Sequence, residues 1–378
     1  MSARVFFSGD VVNTSSNNSF ISEEIKTIIK NQDFAVCNFE APINGFGEKI
    51  LKVGPHISQK PDTIKQLKEA GFNLLLLANN HMYDYGETAL VATIDEISNQ
   101  DLDCVGAGMS YSSAYRAHIK EINGLKIAFL NASEAQFGVL DETDKNNESG
   151  YAWINHYLFD ELVISSKRIS DVVIVCVHAG LEDYNVPLEE WKSRYKRLCD
   201  LGADCIIGSH PHVPQGYEIY NNKPIFYSLG NFYFDSMSFR DSPDYTYSVI
   251  LNIEIDAINF ELVYHNKCNG LVELSKLENI PFNINTLNDL LNDKIELNRI
   301  CLDAYYKITR PFFASVYNSI ISSDSTIVFM KKIIFKILPL PSHKKRRELL
   351  LLHLIRNDTY RWITMRAIQI INNKKPLA

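Results

Sequence analysis

Through its first two hundred residues the chain repeats one pattern: a short apolar run, a polar cluster, then a stretch with helical spacing. The runs cover residues 5–8, 34–37, 73–77, 102–105, 172–177 and 204–207. Most are continuous rather than alternating, as in strands buried on both faces. Helical stretches span 23–30 with Ser22 as cap, 61–70 opened by proline and closed by Gly71, and 87–98, 155–169 and 188–201. Strand and helix in alternation demand a layered α/β domain. Two hairpin signals follow: Asn123-Gly124 between 118–122 and 125–130, and Asn221-Asn222 between 217–220 and 225–229. Residues 247–255 and 259–265 read as further antiparallel strands. The expectation is one mixed sheet or two packed sheets over residues 1–275, then a helical extension over 276–378.

Five of the apolar runs end in side chains suited to metal binding: Asp10, Glu40, Asn80 with His81, His178, and His210 with His212. Open α/β sheets bind ligands at the carboxyl ends of their strands. Pro211 lacks an N–H and biases His210 toward extended backbone, where residues i and i+2 share a side. Each position has an ordinary alternative. Asp10 could be a turn residue, Glu40 a solvated carboxylate and Asn79-Asn80 an Asx turn. His178 could be a core histidine, and His210 with His212 a solvated strand end. Jointly they favour a site, because burying such groups without partners is costly. A mixed oxygen and nitrogen donor set suits Mn, Fe or Zn better than calcium. Two such divalent ions about 3.5–4 Å apart can activate water and neutralise a phosphoryl oxygen. A neighbouring histidine can protonate the leaving oxygen.

Charge excludes one class of partner. The net charge of -7 carries no basic domain of the kind that binds nucleic acid in bulk. Basic residues gather at the end of the chain: Lys344, Lys345, Arg346, Arg347, Arg356, Arg361, Arg366, Lys374 and Lys375, against Glu348 and Asp358. Two readings stand for this tail, a solvated helical face or a peripheral contact with an anionic membrane surface or partner protein. The seven cysteines contain no C-x-x-C and several sit in apolar runs, so buried free thiols in a reducing compartment are expected. Neither a signal peptide nor an apolar run of about 18 residues is present, so the expected location is cytoplasmic.

The pattern resembles the CapA family of poly-γ-glutamate capsule synthesis, related in fold to the calcineurin-like metallophosphoesterases. The matching segments are Gly9-Asp10, Asn38-Phe39-Glu40, Ala78-Asn79-Asn80-His81 with Asp84 and Gly86, and His178-Ala179-Gly180-Leu181-Glu182-Asp183-Tyr184. They continue through Gly202–Ile207 into Gly208-Ser209-His210-Pro211-His212, and end at Tyr227-Ser228-Leu229-Gly230-Asn231-Phe232. The resemblance covers roughly residues 3–255. It implies a four-layer α/β/β/α metallophosphoesterase-like sandwich with a C-terminal helical extension. It also implies two divalent transition-metal ions and a metal-dependent phosphoesterase acting on a phosphorylated or polymeric envelope substrate in capsule or exopolysaccharide synthesis. A non-catalytic metal-binding component of the assembly machinery is the alternative. By the same resemblance Asp10 binds the first metal, Glu40 bridges, and Asn80 and His178 bind the second. His210 and His212 complete the two spheres, one on each, and His81 is the general acid. Glu182, Tyr184 and Asn231 line the cleft as substrate-binding residues. Two departures stand out: Val12 occupies the place of a first-strand histidine ligand, and Ala179 that of a frequent tryptophan.

Overall fold

A computed structural model describes residues 1–15, 19–141, 148–236, 244–317 and 341–373, without the side chains of 341–345. Lys374, Lys375 and the side chains of Lys344 and Lys345 therefore lie outside the described residues. The chain divides into two compact units, 1–50 with 56–293 and 51–55 with 294–378.

The first unit holds two large sheets. In the first, the strands run in the order Leu271–Leu274, Ile258–Cys268, Asp244–Glu254, Ser2–Val12, Phe34–Phe39, Leu74–Leu76, Asp103–Val105, and Asn231–Phe234 also pairs with Ser2–Val12. The neighbours from Ser2–Val12 to Asp103–Val105 are parallel, and Asp244–Glu254 closes antiparallel on the other side. In the second sheet the order is Tyr217–Tyr220, Lys223–Phe226, Cys205–Ser209, Val172–His178, Leu125–Ser133, His118–Ile122, parallel in its middle and antiparallel at both edges.

The continuous apolar runs are explained by burial on both faces. Val5, Phe7, Phe34, Val36 and Leu74 pack against Ile127, Phe129, Ile174, Cys176 and Ile207 of the second sheet. Phe6, Ala35, Cys37 and Leu75 point the other way. They meet Ile25 and Ile29 of helix Glu23–Lys30, Ile64 and Leu67 of helix Asp62–Ala70, and Leu90 and Ile97 of helix Gly86–Asn99. Helices Tyr157–Ile169 and Glu189–Leu201 cover the outer face of the second sheet. The result is the four-layer α/β/β/α sandwich that the resemblance implies. Local signals match closely at several points. Ser22 accepts from the Ile25 N–H, Gly71 closes its helix at φ +103°, and Asn123 (φ +51°) with Gly124 (φ +85°) turns the first hairpin.

The strands depart from the sequence reading at several points. The first runs on to Val12 instead of stopping at Ser8. Asn231–Phe234, Leu271–Leu274 and the short strands Ala107–Gly108, Val139–Leu140 and Gly150–Ala152 are additional. Asn231–Phe234 relies on a sequence-distant parallel partner that local apolar pattern does not reveal, whereas Leu271–Leu274 is a hairpin arm on Ile258–Cys268, turned by Asn269 (φ +50°) and Gly270 (φ +76°). Helix Ile284–Leu290 belongs to the first unit, where Asn288 Oδ1 accepts from the Tyr217 N–H at 2.7 Å. The second unit is helical: Lys294–Ala304, a π-turn at Tyr305–Thr309, Arg310–Tyr317, Pro341–Arg356 and Asp358–Asn373. Its core includes Leu297, Ile300, Cys301, Leu354, Ile363 and Ala367. No described helix is long and apolar enough to cross a membrane. All seven cysteines are free thiols, and all but Cys268 are buried.

One buried histidine makes stability depend on pH. His265 stands with Nε2 2.9 Å from Ser248 Oγ and Nδ1 3.3 Å from Thr246 Oγ1, edge-on to Phe232. Burial pushes its pKa down to about 3. Below about pH 6.5 the unfolded chain takes up a proton here that the folded chain refuses, so this contribution is complete above 6.5 and is lost as pH falls toward 3. His178 and His210 act with the same sign, since burial lowers both. We expect urea-unfolding stability to decline from pH 6.5 to 4.5, and to decline less in His265→Gln, by at most about 1.4 kcal/mol per pH unit. Identical slopes for the two proteins would refute the assignment.

Candidate metal centre

The ligand candidates converge at the carboxyl ends of the parallel strands. Asp10 lies where the first strand slips register against both of its parallel neighbours, between Ser8 and Asp10 on one side and between Asp10 and Val11 on the other. Such irregularities re-aim a side chain. Asp10 is fully buried, its Oδ1 accepting from Asn38 Nδ2 at 2.7 Å and its Oδ2 from the His210 N–H at 3.1 Å. Glu40, also fully buried, directly follows strand Phe34–Phe39. Gln59 Nε2 donates to the carbonyls of Glu40 and Ala41 and fixes the backbone there. Asn79 supplies the turn, its Nδ2 donating to Phe39 O and its Oδ1 accepting from the His81 N–H, and this delivers Asn80 and His81 to the site.

Two groups of donors form. Ligand atoms of Asp10, Glu40 and His212 all lie within 4.8 Å of one another. Around His178 Nε2 stand Asn80 Oδ1 at 3.0 Å, His210 Nδ1 at 3.0 Å and Glu40 Oε1 at 3.8 Å. Glu40 thus belongs to both groups, and the two histidines of the His-Pro-His segment divide between them. Burial holds the His178 and His210 imidazoles neutral, with pKa values below the ordinary histidine value, so lone pairs are retained. Burial works against the Asp10 carboxylate, yet His178, His212 and Asn38 outweigh it and keep its pKa below the ordinary value. Two buried carboxylates, three imidazoles and an amide oxygen fit divalent transition metals.

The pair His210 and His212 does not converge through extended backbone. His210 has φ +96° and His212 φ +62°, and the strand ends at Ser209. Local preference before Pro211 is overridden by the Asp10 carboxylate, which takes the His210 N–H. Among the described residues, nine non-glycine residues have positive φ, and five of them are the turn residues Asp101, Asn123, Asn221, Asn222 and Asn269. The other four are Ala41, Asp183, His210 and His212, each a ligand candidate or a direct chain neighbour of a predicted site residue. Such strain persists where the surroundings over-determine it, and it gathers at functional sites.

His81 Nδ1 lies 2.7 Å from Asp84 Oδ2, which also accepts from the Ile57 N–H at 2.7 Å. Asp84 therefore fixes the ring. Glu182 stands at the rim, half exposed, with Oε1 3.7 Å from His210 Nε2. Tyr184 is tied in by its backbone carbonyl, which accepts from Gln215 Nε2. Asn231, expected to face the cleft, is buried behind His212, with Oδ1 2.9 Å from His212 Nδ1 and Nδ2 donating to Asp244 Oδ2 at 2.7 Å. Val12 packs with Ala41, Ile57 and Phe234, so an apolar wall stands where a further ligand was absent from the sequence. Sequence reasoning missed three polar residues. Asn38 reaches both Asp10 and His178 Nδ1. Glu134, fully buried at the end of strand Leu125–Ser133, has Oε1 3.6 Å from His210 Nε2. Asp244 is the third. The strand-end rule applied to the run 125–130 points to Asn131; Glu134 follows the strand only because it continues through Ser133.

Comparison with known proteins agrees with the resemblance. The family model described as bacterial capsule synthesis protein PGA_cap matches residues 4–236. The capsule biosynthesis protein CapA of Bacillus anthracis is 34% identical over 223 residues, 57% of this chain and 54% of that protein. The PGA biosynthesis protein CapA of Bacillus subtilis is 35% identical over 222 residues, 57% of each chain. This chain therefore spans only about half the length of these curated relatives. Among solved structures, a hypothetical protein from Thermus thermophilus aligns over 70% of this chain and 99% of its own, at 17% identity and a TM-score of 0.46. A 5'-nucleotidase precursor from the same organism aligns over 80% and 59%, at 9% identity and a TM-score of 0.42.

Proposed function

The chain belongs to the family of the bacterial capsule synthesis protein PGA_cap, and from that premise we propose that it is a metal-dependent hydrolase of the phosphoesterase type. Its substrate would be a phosphorylated or polymeric envelope intermediate in capsule synthesis. One observation carries the reading: Glu40 is shared by two adjacent, buried donor groups, Asp10 with His212 and Asn80 with His178 and His210. When bound, divalent cations would supply positive charge against the charge that builds on a phosphoryl oxygen. The chain's own part is positional. Asp84 holds His81 by Nδ1, so Nε2 is the atom that delivers a proton to the leaving oxygen. Asn79 fixes the turn that carries this histidine beside Asn80.

A second reading has a specific observation in its favour. Val12 is locked into an apolar cluster at the first donor group, which leaves Asp10, Glu40 and His212 as that group's ligands. A centre so equipped could bind without turning over. Elemental analysis and a panel of phosphomonoesters and phosphodiesters separate the two. Wild type should carry transition metal and hydrolyse at least one ester. His81→Gln should keep the metal and lose about 10²–10⁴-fold in kcat. Folded, metal-loaded protein that hydrolyses nothing on the panel would shift the assignment to the binding-only reading.

A further inference from the structure

A hydrogen-bond chain starts at His212 Nδ1, which lies 3.7 Å from the acceptor Asp10 Oδ2, and runs through buried Asn231 to the half-buried Asp244. His212 Nδ1 lies 2.9 Å from Asn231 Oδ1, and Asn231 Nδ2 donates to Asp244 Oδ2 at 2.7 Å. Asn231 is 1% exposed. Its backbone is fixed as well, since Asn231 pairs with Asp10 across the parallel strands and its carbonyl accepts from Thr246 Oγ1 at 2.5 Å. An ionised carboxylate has only acceptors to offer, so Asp244 dictates which end of the Asn231 amide faces it: the NH₂. The amide oxygen is thereby turned to His212, and an oxygen can only accept. His212 must then carry its proton on Nδ1.

We infer that Asp244 and Asn231 are positioning residues that fix the His212 tautomer with the proton on Nδ1, so that Nε2 presents the lone pair to a divalent transition metal. This rests on the metal-centre reading above. Asp244 lies outside every strand-end cluster and acts through Asn231, which supports a ligand instead of lining the substrate cleft. Partners that orient a ligating histidine are part of a working site, and removing one typically costs 10- to 100-fold in metal affinity.

The test uses the full chain and Mn²⁺ as probe. In metal-free wild type, ¹⁵N spectra of histidine-labelled protein, with His212→Gln used only to assign the signal, should show His212 as the neutral Nδ1–H tautomer. Nε2–H would overturn the inference. In Mn²⁺ titrations, Asp244→Ala should bind about tenfold or more weakly, because Asn231 can then turn its NH₂ toward His212. The double variant Asn231→Asp with Asp244→Ala restores an acceptor opposite Nδ1 in either orientation, and should recover affinity to within about threefold of wild type. A purely structural role for Asp244 would not be rescued this way. Unchanged affinity in Asp244→Ala, or a loss the double variant does not recover, refutes the inference. Should Asp244→Ala fail to fold, the wild-type tautomer decides alone. Wild type that binds no Mn²⁺ would remove the metal reading, while the tautomer would still be decided by the spectra.

Discussion

Asp10→Asn is expected to yield a folded protein that retains about a tenth or less of the wild-type metal. Asp10 is a member of the tight donor group with Glu40 and His212, and its two oxygens are already engaged by different donors, Asn38 Nδ2 and the His210 N–H. The amide that replaces it has one acceptor oxygen for two donors. One of them must face an NH₂, at a cost of about 1–3 kcal/mol. Burial works against the ionised Asp10 carboxylate, but His178, His212 and Asn38 outweigh it, so the folded state favours the charged form and the metal-free variant should be measurably less stable than wild type. The large difference appears with metal. A ligand at one hundred times its Kd stabilises the folded state by about 2.7 kcal/mol, and wild type should gain that while Asp10→Asn gains almost none. Metal content by elemental analysis and thermal melts with and without Mn²⁺ measure both effects. A variant that binds Mn²⁺ like wild type and melts with the same metal-induced shift would remove Asp10 from the centre.

How much of this could be read from the chain alone depends on the range of the interaction concerned. Helix Asp62–Ala70 is framed by Pro61 and Gly71, and the hairpin at Asn123-Gly124 by two residues that tolerate positive φ, so their limits are local and visible. The strand-end donors were visible because continuous apolar runs mark buried strands, and a polar residue at the end of one is conspicuous. The conformation that joins His210 to Asp10 was not. It depends on a bond between residues two hundred positions apart, which no rule about the residue before proline contains. Asn231 shows the same limit from the other side. Its motif was legible, but its direction was not, because Asp244 and His212 decide which way the amide turns. Glu134 lies beyond the apolar run 125–130 because the strand continues through Asn131, Ala132 and Ser133, held by pairing with Cys176, Val177 and His178.

Gly9→Ala should then have the largest effect on folding of any single methyl group added near the centre. A Cβ at Gly9 would stand 1.7 Å from the Gly230 carbonyl oxygen and 2.9 Å from its carbon. Both are backbone atoms, so no side chain can swing aside. The segment 229–231 is itself held, because the Leu229 N–H donates to Gly208 O and the Asn231 carbonyl accepts from Thr246. The first strand must therefore move off its neighbour, and the Asp10 N–H to Gly230 O bond at 3.3 Å breaks with it. Overpacking costs about 1–3 kcal/mol where side chains can yield, and a rigid backbone contact belongs at or above the top of that range. Gly45→Ala is the control: Gly45 has positive φ, +92°, but a Cβ there meets nothing within 4 Å. It should lose only the smaller cost of left-handed backbone, about 1 kcal/mol or somewhat more. Urea midpoints should therefore rank wild type, Gly45→Ala, Gly9→Ala in falling order. Any Gly9→Ala protein that folds should bind Mn²⁺ poorly, because Asp10 and Asn231 are register partners across the contact that the methyl opens. Equal midpoints for the two variants, with Mn²⁺ binding intact in Gly9→Ala, would mean that this close backbone approach does not set the position of Asp10.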